Sequence, residues 1–307
     1  MPTNLQAGES DAVGQRRWVW SGFALPGVVW LLLLFLVPFY AIFAVAMGRT
    51  DPIFNRPVPE WNPFYWDFSS FSQVFSDLFG GPLGTIAVRT LVYVAVASIL
   101  CLLIGYPIAY FVSRRSGKWR GLWLLAILAP FWINYLMRMM SWVNLLSPGA
   151  QVDQAFFMFG LDPPEWLAGH PFVVILGLVY GYIPFFILPL FGALDRIDER
   201  TLEASKDLGA SPARTFWRVT LPLSKQGILA GLVIIMLPMF GDYYTPNLLS
   251  GSPRTVMIGN TIDQYINQTT SQGGVGAALT IVLMMFVAVL MAYYLVTINR
   301  ATKEARE

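Results

Sequence analysis

The sequence of 307 residues contains one cysteine and one histidine, and only 12% of its residues are charged. Cys101 has no second cysteine to pair with, which excludes a disulfide framework and a cysteine-based metal site. With His170 as the only histidine, neither a Ser–His–Asp triad nor a histidine metal cluster can be assembled, so we expect no metal site and no catalytic residues. The phosphate-binding pattern G-x-x-x-x-G-K-[ST] is also missing, which predicts that this chain does not itself hold a nucleotide.

Apolar residues make up 56% of the chain, and the mean hydropathy is +0.56. The charges are confined to islands between long apolar runs, which excludes a soluble protein and predicts a helical integral membrane protein. The first run exceeds the roughly 7 to 15 apolar residues of a signal peptide, so it is predicted to be an uncleaved span. Each run reaches the roughly 20 residues that a membrane-spanning helix needs. The six predicted spans are 18–47, 84–112, 121–145, 171–194, 226–249 and 275–298.

The distribution of lysine and arginine predicts the orientation of these spans. If the N-terminus is cytoplasmic, the segments on the cytoplasmic side hold 15 basic residues and the segments on the other side hold five. Basic residues concentrate in cytoplasmic loops, so we predict that both termini are cytoplasmic. The cytoplasmic tails would be 1–17 and 299–307, and an extracytoplasmic loop would cover 48–83.

That first loop is dense in aromatic residues between positions 48 and 81. Aromatic side chains favour the boundary between membrane and water, so an interfacial belt is the first interpretation. The alternative is a docking surface for an external binding protein. The aromatic residues concerned are Trp61, Phe64, Tyr65, Trp66, Phe68 and Phe71.

A polar island at 195–225 separates the fourth and fifth spans, with six basic and five acidic residues. Asp198 is predicted to cap a short helix that Gly209 ends. The pair Ser211–Pro212 has the pattern of an N-cap and a first helical residue. It therefore predicts a second short helix, which the Leu221–Pro222 pair would end. We expect two short helices that meet at a glycine corner.

The island resembles the EAA loop of ABC-importer permeases. That pattern is Glu-Ala-Ala, three residues, Gly, nine residues, an aliphatic residue, one residue and Leu-Pro. The spacing is kept here, with Ser205 at the third position and Val219 at the aliphatic position as mild departures. The resemblance implies that the loop is a coupling helix seated in a cleft of a cytoplasmic ATPase subunit, whereas the alternative is a solvated amphipathic loop. The coupling residues it implies are Glu203, Ala204, Ser205, Gly209 and Pro222.

The fifth predicted span contains an acidic residue, Asp242. Gly227 and Gly231 of the same span form a G-x-x-x-G pair, which permits close packing of helices. Asp242 follows Gly231 by eleven residues, and at about 100° per residue this returns it to nearly the same face. A carboxylate at such depth is costly and indicates a functional site. The alternatives are that Asp242 caps a broken helix or pairs with a neighbour such as Arg138.

Aromatic and amide side chains accompany this carboxylate. Tyr243 and Tyr244 follow Asp242, and the third span supplies Trp132 and Asn134 at comparable depth. A carboxylate with aromatic neighbours suits an organic ammonium group, through charge pairing and cation–π contact. We therefore predict that these five residues bind substrate, with helix packing as the alternative for Trp132. Weaker candidates in the fourth span are Tyr180 and Tyr182.

From the second span onward the chain resembles the spermidine/putrescine branch of the ABC-importer permeases. The segments that carry this resemblance, besides the EAA loop, are PFWINYLMRM at 130–139, GDYYTPNLLSG at 241–251 and MIGNTIDQYI at 257–266. It implies an all-α type I permease of the bacterial inner membrane with six membrane-spanning helices and its core at 84–298. The implied partners are a second permease subunit, two copies of an ATPase that binds ATP and magnesium, an extracytoplasmic substrate-binding protein and membrane lipid.

Other functions stay open at this point. Related branches of the family carry iron, sulfate or opines. A proton- or sodium-coupled secondary carrier would use Asp242 as its coupling carboxylate and would transport without an ATPase. A membrane-embedded enzyme would need a constellation of metal ligands or nucleophiles that the sequence does not offer. The EAA spacing weighs against the carrier and the enzyme, and none of these functions involves nucleic acid.

Overall fold

The computed structural model describes residues 5–54, 56–268 and 270–304. The helices are α1 (Leu5–Ala46), α2 (Ser69–Gly80), α3 (Pro82–Arg114), α4 (Arg120–Leu128), α5 (Tyr135–Leu146), α6 (Gln151–Met158), α7 (Pro171–Asp195), α8 (Glu199–Asp207), α9 (Pro212–Thr215), α10 (Leu221–Phe240), α11 (Tyr244–Leu249), α12 (Ile258–Asp263) and α13 (Gly273–Glu304). Two short strands, β1 (Arg49–Thr50) and β2 (Pro57–Val58), pair antiparallel. The chain is therefore all-α apart from this small hairpin.

Five helical segments of the described chain are long and apolar enough to cross a membrane, and a bent pair of helices adds a sixth span. The predicted six-span, all-α architecture is confirmed. Of the two predicted tails, residues 1–4 and 305–307 lie outside the described residues, and α1 already begins at Leu5. The five unbent segments are Gly22–Ala46, Pro82–Arg114, Pro171–Asp195, Pro212–Phe240 and Gly273–Thr297.

The third span is present but broken, and the prediction of a span over 121–145 did not include the break. Its halves, Gly117–Trp132 and Tyr135–Met158, meet at an angle of 87°. The backbone is extended at Ile133 and Asn134, whose ψ angles are 138° and 141°. Asn134 then caps α5, because its side-chain oxygen accepts a hydrogen bond from Leu136 N at 2.9 Å. This cap stabilises a fresh helix start in the middle of an apolar run.

The centre of the molecule is a packed trio of α3, α7 and α10. Phe186 of α7 is fully buried between two glycines of the neighbouring helices. A methyl group at Gly105 of α3 would lie 2.8 Å from the Phe186 ring, and one at Gly231 of α10 would lie 2.7 Å from it. At Gly227 a methyl group would lie 2.4 Å from Ala193 Cβ. The close packing predicted for the G-x-x-x-G pair is confirmed, and its partner is α7.

The fifth span ends at Phe240, so the prediction of a helix continuing to residue 249 was wrong. Pro238 has no amide hydrogen to donate within the last turn. Gly241 N donates to Pro238 O at 3.2 Å and closes the helix, and α11 begins three residues later at Tyr244. Asp242 lies in this break, so the angle counted from Gly231 along a continuous helix does not apply to it. The break nevertheless buries Asp242, whose exposed fraction is 6%.

Candidate functional site

The polar island folds into the two predicted short helices, α8 and α9. Asp198 caps α8, because its Oδ1 accepts a hydrogen bond from Arg200 N at 3.0 Å. Ser211 caps α9 in the same way through a 3.3 Å bond from Arg214 N. Between them Gly209 has φ +80°, a conformation that favours glycine. The predicted caps and the glycine corner are confirmed.

The second helix does not end at the Leu221–Pro222 pair, contrary to the prediction. It passes through a π-helical turn, Phe216–Thr220, directly into α10. Pro222 occupies the first turn of α10, where a missing amide is tolerated and where the wider π turn precedes it. Phe216 fixes this turn by packing edge-on against Tyr106 of α3, with 5.5 Å between ring centroids. The island is therefore continuous with the fifth span.

Helices α8 and α9, with the Gly209 corner between them, project from the protein; we call this part of the island the coupling knob. Leu208 is 89% exposed, and no atom lies within 4 Å of a methyl group placed at Gly209. Glu203 and Ala204 are also exposed on α8. Ser205 instead points inward and shares a 2.9 Å hydrogen bond with Thr215 of α9. The departure from Glu-Ala-Ala at this position thus ties the two helices of the knob together.

Arginines at the end of the second span and just beyond it hold the base of the island. Arg114 Nη2 donates to Leu194 O at 2.7 Å and to Ile197 O at 2.8 Å, which satisfies carbonyls at the end of α7. Arg120 forms a 3.0 Å salt bridge with Asp195 at the same place. A cation suits the C-terminal end of a helix. The island is therefore fixed to α3 at one end and continuous with α10 at the other.

We expect Arg114→Gln to loosen this attachment. The variant loses two charge-assisted hydrogen bonds from a half-buried guanidinium, a loss of about 1.5–3 kcal/mol. The purified importer should unfold at a lower temperature and hydrolyse more ATP for each substrate molecule transported. Arg115→Gln, an exposed neighbour on the same turn, is the control. Equal behaviour of the two variants would contradict the anchoring role.

Asp242 lies at the junction of three elements, with hydroxyl groups around its carboxylate. Tyr135 OH of α5 donates to Oδ2 at 2.9 Å, and Tyr182 OH of α7 donates to it at 3.2 Å. Thr245 of α11 donates through Oγ1 to Oδ2 at 2.6 Å and through N to Oδ1 at 3.1 Å. Such donors stabilise a carboxylate anion. Asp242 thus caps α11 and joins it to the breaks in the third and fifth spans.

A buried cation lies near the carboxylate. The guanidinium of Arg138 stacks on Phe131, 4.0 Å from the ring centroid, and it also faces the rings of Tyr135 and Tyr180. Within the described residues, its Nε and Nη1 atoms are buried without a hydrogen-bond partner. Among the described residues, the salt bridge is between Arg120 and Asp195. Arg138 and Asp242 therefore do not form the ion pair that was considered as an alternative. The tyrosine hydroxyls satisfy Asp242 instead.

The structure separates the predicted substrate residues by role. The rings of Tyr243 and Tyr244, directly after Asp242, lie with 4.0 Å between their centroids and are tilted by 32°. Asn134 caps α5 next to Tyr135, and the indole of Trp132 is exposed. The aromatic pair therefore adjoins the carboxylate in sequence, and the third span reaches the carboxylate through Tyr135.

Four residues in and around this cluster were missed or ranked low. Thr245 carries a recognisable signal, since the side chain of an aspartate commonly accepts a hydrogen bond from the backbone N–H two or three residues further on. Tyr182 and Tyr135 carry no comparable signal, because their positions depend on tertiary packing. Asn260 of α12 was also missed: its Nδ2 donates to Tyr243 O and to Asn247 Oδ1, each at 2.8 Å. It holds the backbone that presents Tyr243.

Residues 85–301 match the family described as "Binding-protein-dependent transport system inner membrane component". The match covers more than half of the chain, which therefore belongs to this family of ABC importer permeases. It is an inner-membrane transport subunit and not an enzyme. Membership in this family implies an ATPase, a substrate-binding protein and a second permease as partners.

Individual relatives extend the match. The chain is 32% identical to the spermidine/putrescine transport system permease protein PotB of Haemophilus influenzae, over 86% of this chain and 89% of the relative. It is 31% identical to PotB of Escherichia coli K12, over 84% of this chain and 90% of the relative. A crystal structure of a bacterial alginate ABC transporter, in complex with its alginate-bound periplasmic protein, shares the fold. Its TM-score is 0.75 at 19% identity, covering 94% of this chain and 96% of that one.

Proposed function

We propose that this chain forms half of the pathway of an ATP-driven polyamine importer. The observation that carries the proposal is the buried carboxylate of Asp242, which is contacted by the hydroxyls of Tyr135 and Tyr182 and followed in sequence by the paired rings of Tyr243 and Tyr244. Spermidine and putrescine are organic cations, and a carboxylate flanked by aromatic rings offers them charge pairing and cation–π contact. The 31–32% identity to permeases named for these substrates supports the same class.

Each predicted substrate residue has a part in this proposal. Asp242 pairs with an ammonium group, and the faces of Tyr243 and Tyr244 hold the adjoining methylene groups. The exposed indole of Trp132 guides the cation toward the break in the third span, where Asn134 keeps α5 in place. Because Asp242 is 6% exposed here, substrate reaches it only after the two broken spans separate.

ATP acts at a distance in this proposal. The second permease lies beside this one. Two copies of the ATPase bind ATP with magnesium, and each holds the knob of one permease. Glu203, Ala204 and Gly209 contact the ATPase, and Ser205 contributes by tying the two helices of the knob together. Pro222 lies in the first turn of the helix that carries the movement inward. The helical path from Pro212 to Phe240 leads without a break from the knob to the residue before Gly241. Movement of the knob therefore shifts the population between two packings around Asp242.

The orientation belongs to the same proposal, with both termini and the knob in the cytoplasm. It is tested by cysteine labelling in a Cys101→Ala background, with a membrane-impermeant maleimide added to intact cells. Glu165→Cys should react from outside, and Lys206→Cys should react only after the cells are opened; both side chains are exposed. Labelling of position 206 in intact cells would reverse the orientation.

The substrate class is tested by uptake in cells that express the complete importer. We expect saturable uptake of labelled spermidine and putrescine that unlabelled polyamines suppress. Iron, sulfate and opines, the solutes of related branches, should not compete. Uptake of one of those solutes, with no polyamine uptake, would move the chain to that branch without changing its place in the permease family.

A further inference from the structure

Helix α2 bridges the starting ends of two membrane-spanning helices. Near its first turn, Ser70 Oγ lies 3.1 Å from a methyl group placed at Gly274, at the start of α13. Near its last turn, Leu78 O lies 2.4 Å from a methyl group placed at Gly84, at the start of α3. Ser70 and Leu78 are eight residues apart, or about 12 Å along the helix. Helix α2 therefore runs across the end of the bundle that lies opposite the coupling knob.

The surface of α2 divides into three sectors. One sector is packed against α3 and α13, and another is polar. The third is a phenylalanine stripe made of Phe68, which immediately precedes α2, and of Phe75 and Phe79 within it; they are 61%, 43% and 85% exposed. At about 100° per residue these three side chains fall within about 40° of one another around the helix. The packed sector contains Phe71, Val74 and Leu78, and the polar sector contains Ser69, Gln73, Ser76 and Asp77.

These sectors match three different surroundings. The packed sector meets protein, and the polar sector suits water. The phenylalanine stripe lies between them and has neither arginine nor lysine, the residues that would be expected for an acidic partner. Phe79 lies three residues before α3, a helix whose exposed side chains Val88 and Val92 are apolar. The stripe is thus continuous along the chain with a surface that crosses the membrane.

We propose that α2 is an interfacial helix that inserts the phenylalanine stripe into the lipid leaflet opposite the coupling knob. Amphipathic helices with an aromatic face lie in this way at the boundary between headgroups and acyl chains. The lipid contact holds the outer ends of α3 and α13 at a fixed depth. This inference does not depend on the substrate, so it stands or falls apart from the polyamine assignment.

The test measures the depth of single residues of α2 in the assembled importer. Cysteines at positions 75 and 79 (Phe75→Cys and Phe79→Cys, in Cys101→Ala) carry a fluorescent probe in nanodiscs with nitroxide-labelled lipids. Gln73→Cys on the polar sector is the matched control. We expect the lipid nitroxides to reduce the emission at positions 75 and 79 about twofold or more, and to leave position 73 bright.

Two outcomes would overturn the inference. Equal quenching at positions 73 and 79 would mean that α2 does not present one side to lipid. The second outcome is emission at position 79 that the lipid nitroxides do not reduce but that changes when the substrate-binding protein is added. That result would identify a protein-docking surface instead. Each variant is first checked for assembly with the ATPase by size-exclusion chromatography, so that a misfolded sample is not scored.

Discussion

Asp242→Asn is expected to weaken apparent recognition of polyamines by the permease about 10-fold to more than 100-fold, without loss of the folded protein. Removing the negative charge takes away about 1.5–3 kcal/mol of charge-assisted contact, which corresponds to that range of affinity. The amide is nearly isosteric, and the hydroxyls of Tyr135, Tyr182 and Thr245 can rotate to accept from it as well as donate to it. Uptake as a function of polyamine concentration is the measurement.

Asp153→Asn is the matched control for this variant. Asp153 is also 6% exposed, and its carboxylate is likewise engaged, by Gly149 N at 2.7 Å and Trp166 Nε1 at 2.9 Å. It therefore reports the effect of neutralising a buried carboxylate away from the cluster. The affinity of the substrate-binding protein should be unchanged in both variants. Wild-type uptake kinetics in Asp242→Asn, at normal expression, would make Asp242 a purely structural cap.

Gly209→Leu is expected to abolish most of the coupling between ATP hydrolysis and uptake. A leucine at φ +80° is strained by roughly 1–2 kcal/mol. No atom of this chain lies within 4 Å of a Cβ at this position, so the leucine side chain would project from the knob. It would then occupy space that the ATPase needs for contact. We expect weaker association with the ATPase or hydrolysis that substrate no longer stimulates. Copurification and substrate-stimulated hydrolysis measure the two.

Two further variants separate strain from contact. Gly160→Leu places the same side chain at φ +71°, also in open space, on a loop far from the knob in sequence, and it should transport normally. Gly209→Asn keeps a residue type that tolerates positive φ, so it removes most of the strain but still adds a side chain. If Gly209→Leu transports as well as Gly160→Leu, the corner is not a contact with the ATPase.

The local features of the coupling knob could be predicted from the sequence because each depends on neighbouring residues. The caps at Asp198 and Ser211 and the corner at Gly209 obey short-range rules, and all are present. The end of α9 was predicted wrongly for an equally physical reason. A Leu-Pro pair is compatible with the first turn of a helix as well as with the end of one. Here the π turn runs directly into α10, so the pair lies in the first turn of that helix.

The breaks in the third and fifth spans were hidden by their apolar composition. Hydropathy counts residues but does not detect an 87° bend, and Pro130 or Pro238 alone does not decide between a kink and an end. The hydrogen-bond donors around Asp242 could not be predicted from the sequence for another reason. Its donors come from α5, α7 and α11, so their arrangement depends on how three helices pack. The sequence located the acid, and packing determined what surrounds it.

The most direct measurement of the central claim is uptake into proteoliposomes that contain this permease with its ATPase and second permease. The substrate-binding protein and labelled spermidine are outside, and ATP with magnesium is either enclosed or left out. We predict accumulation only with enclosed ATP and only with the binding protein present. Accumulation without ATP, driven by a proton or sodium gradient, would contradict the account and make Asp242 the coupling carboxylate of a secondary carrier.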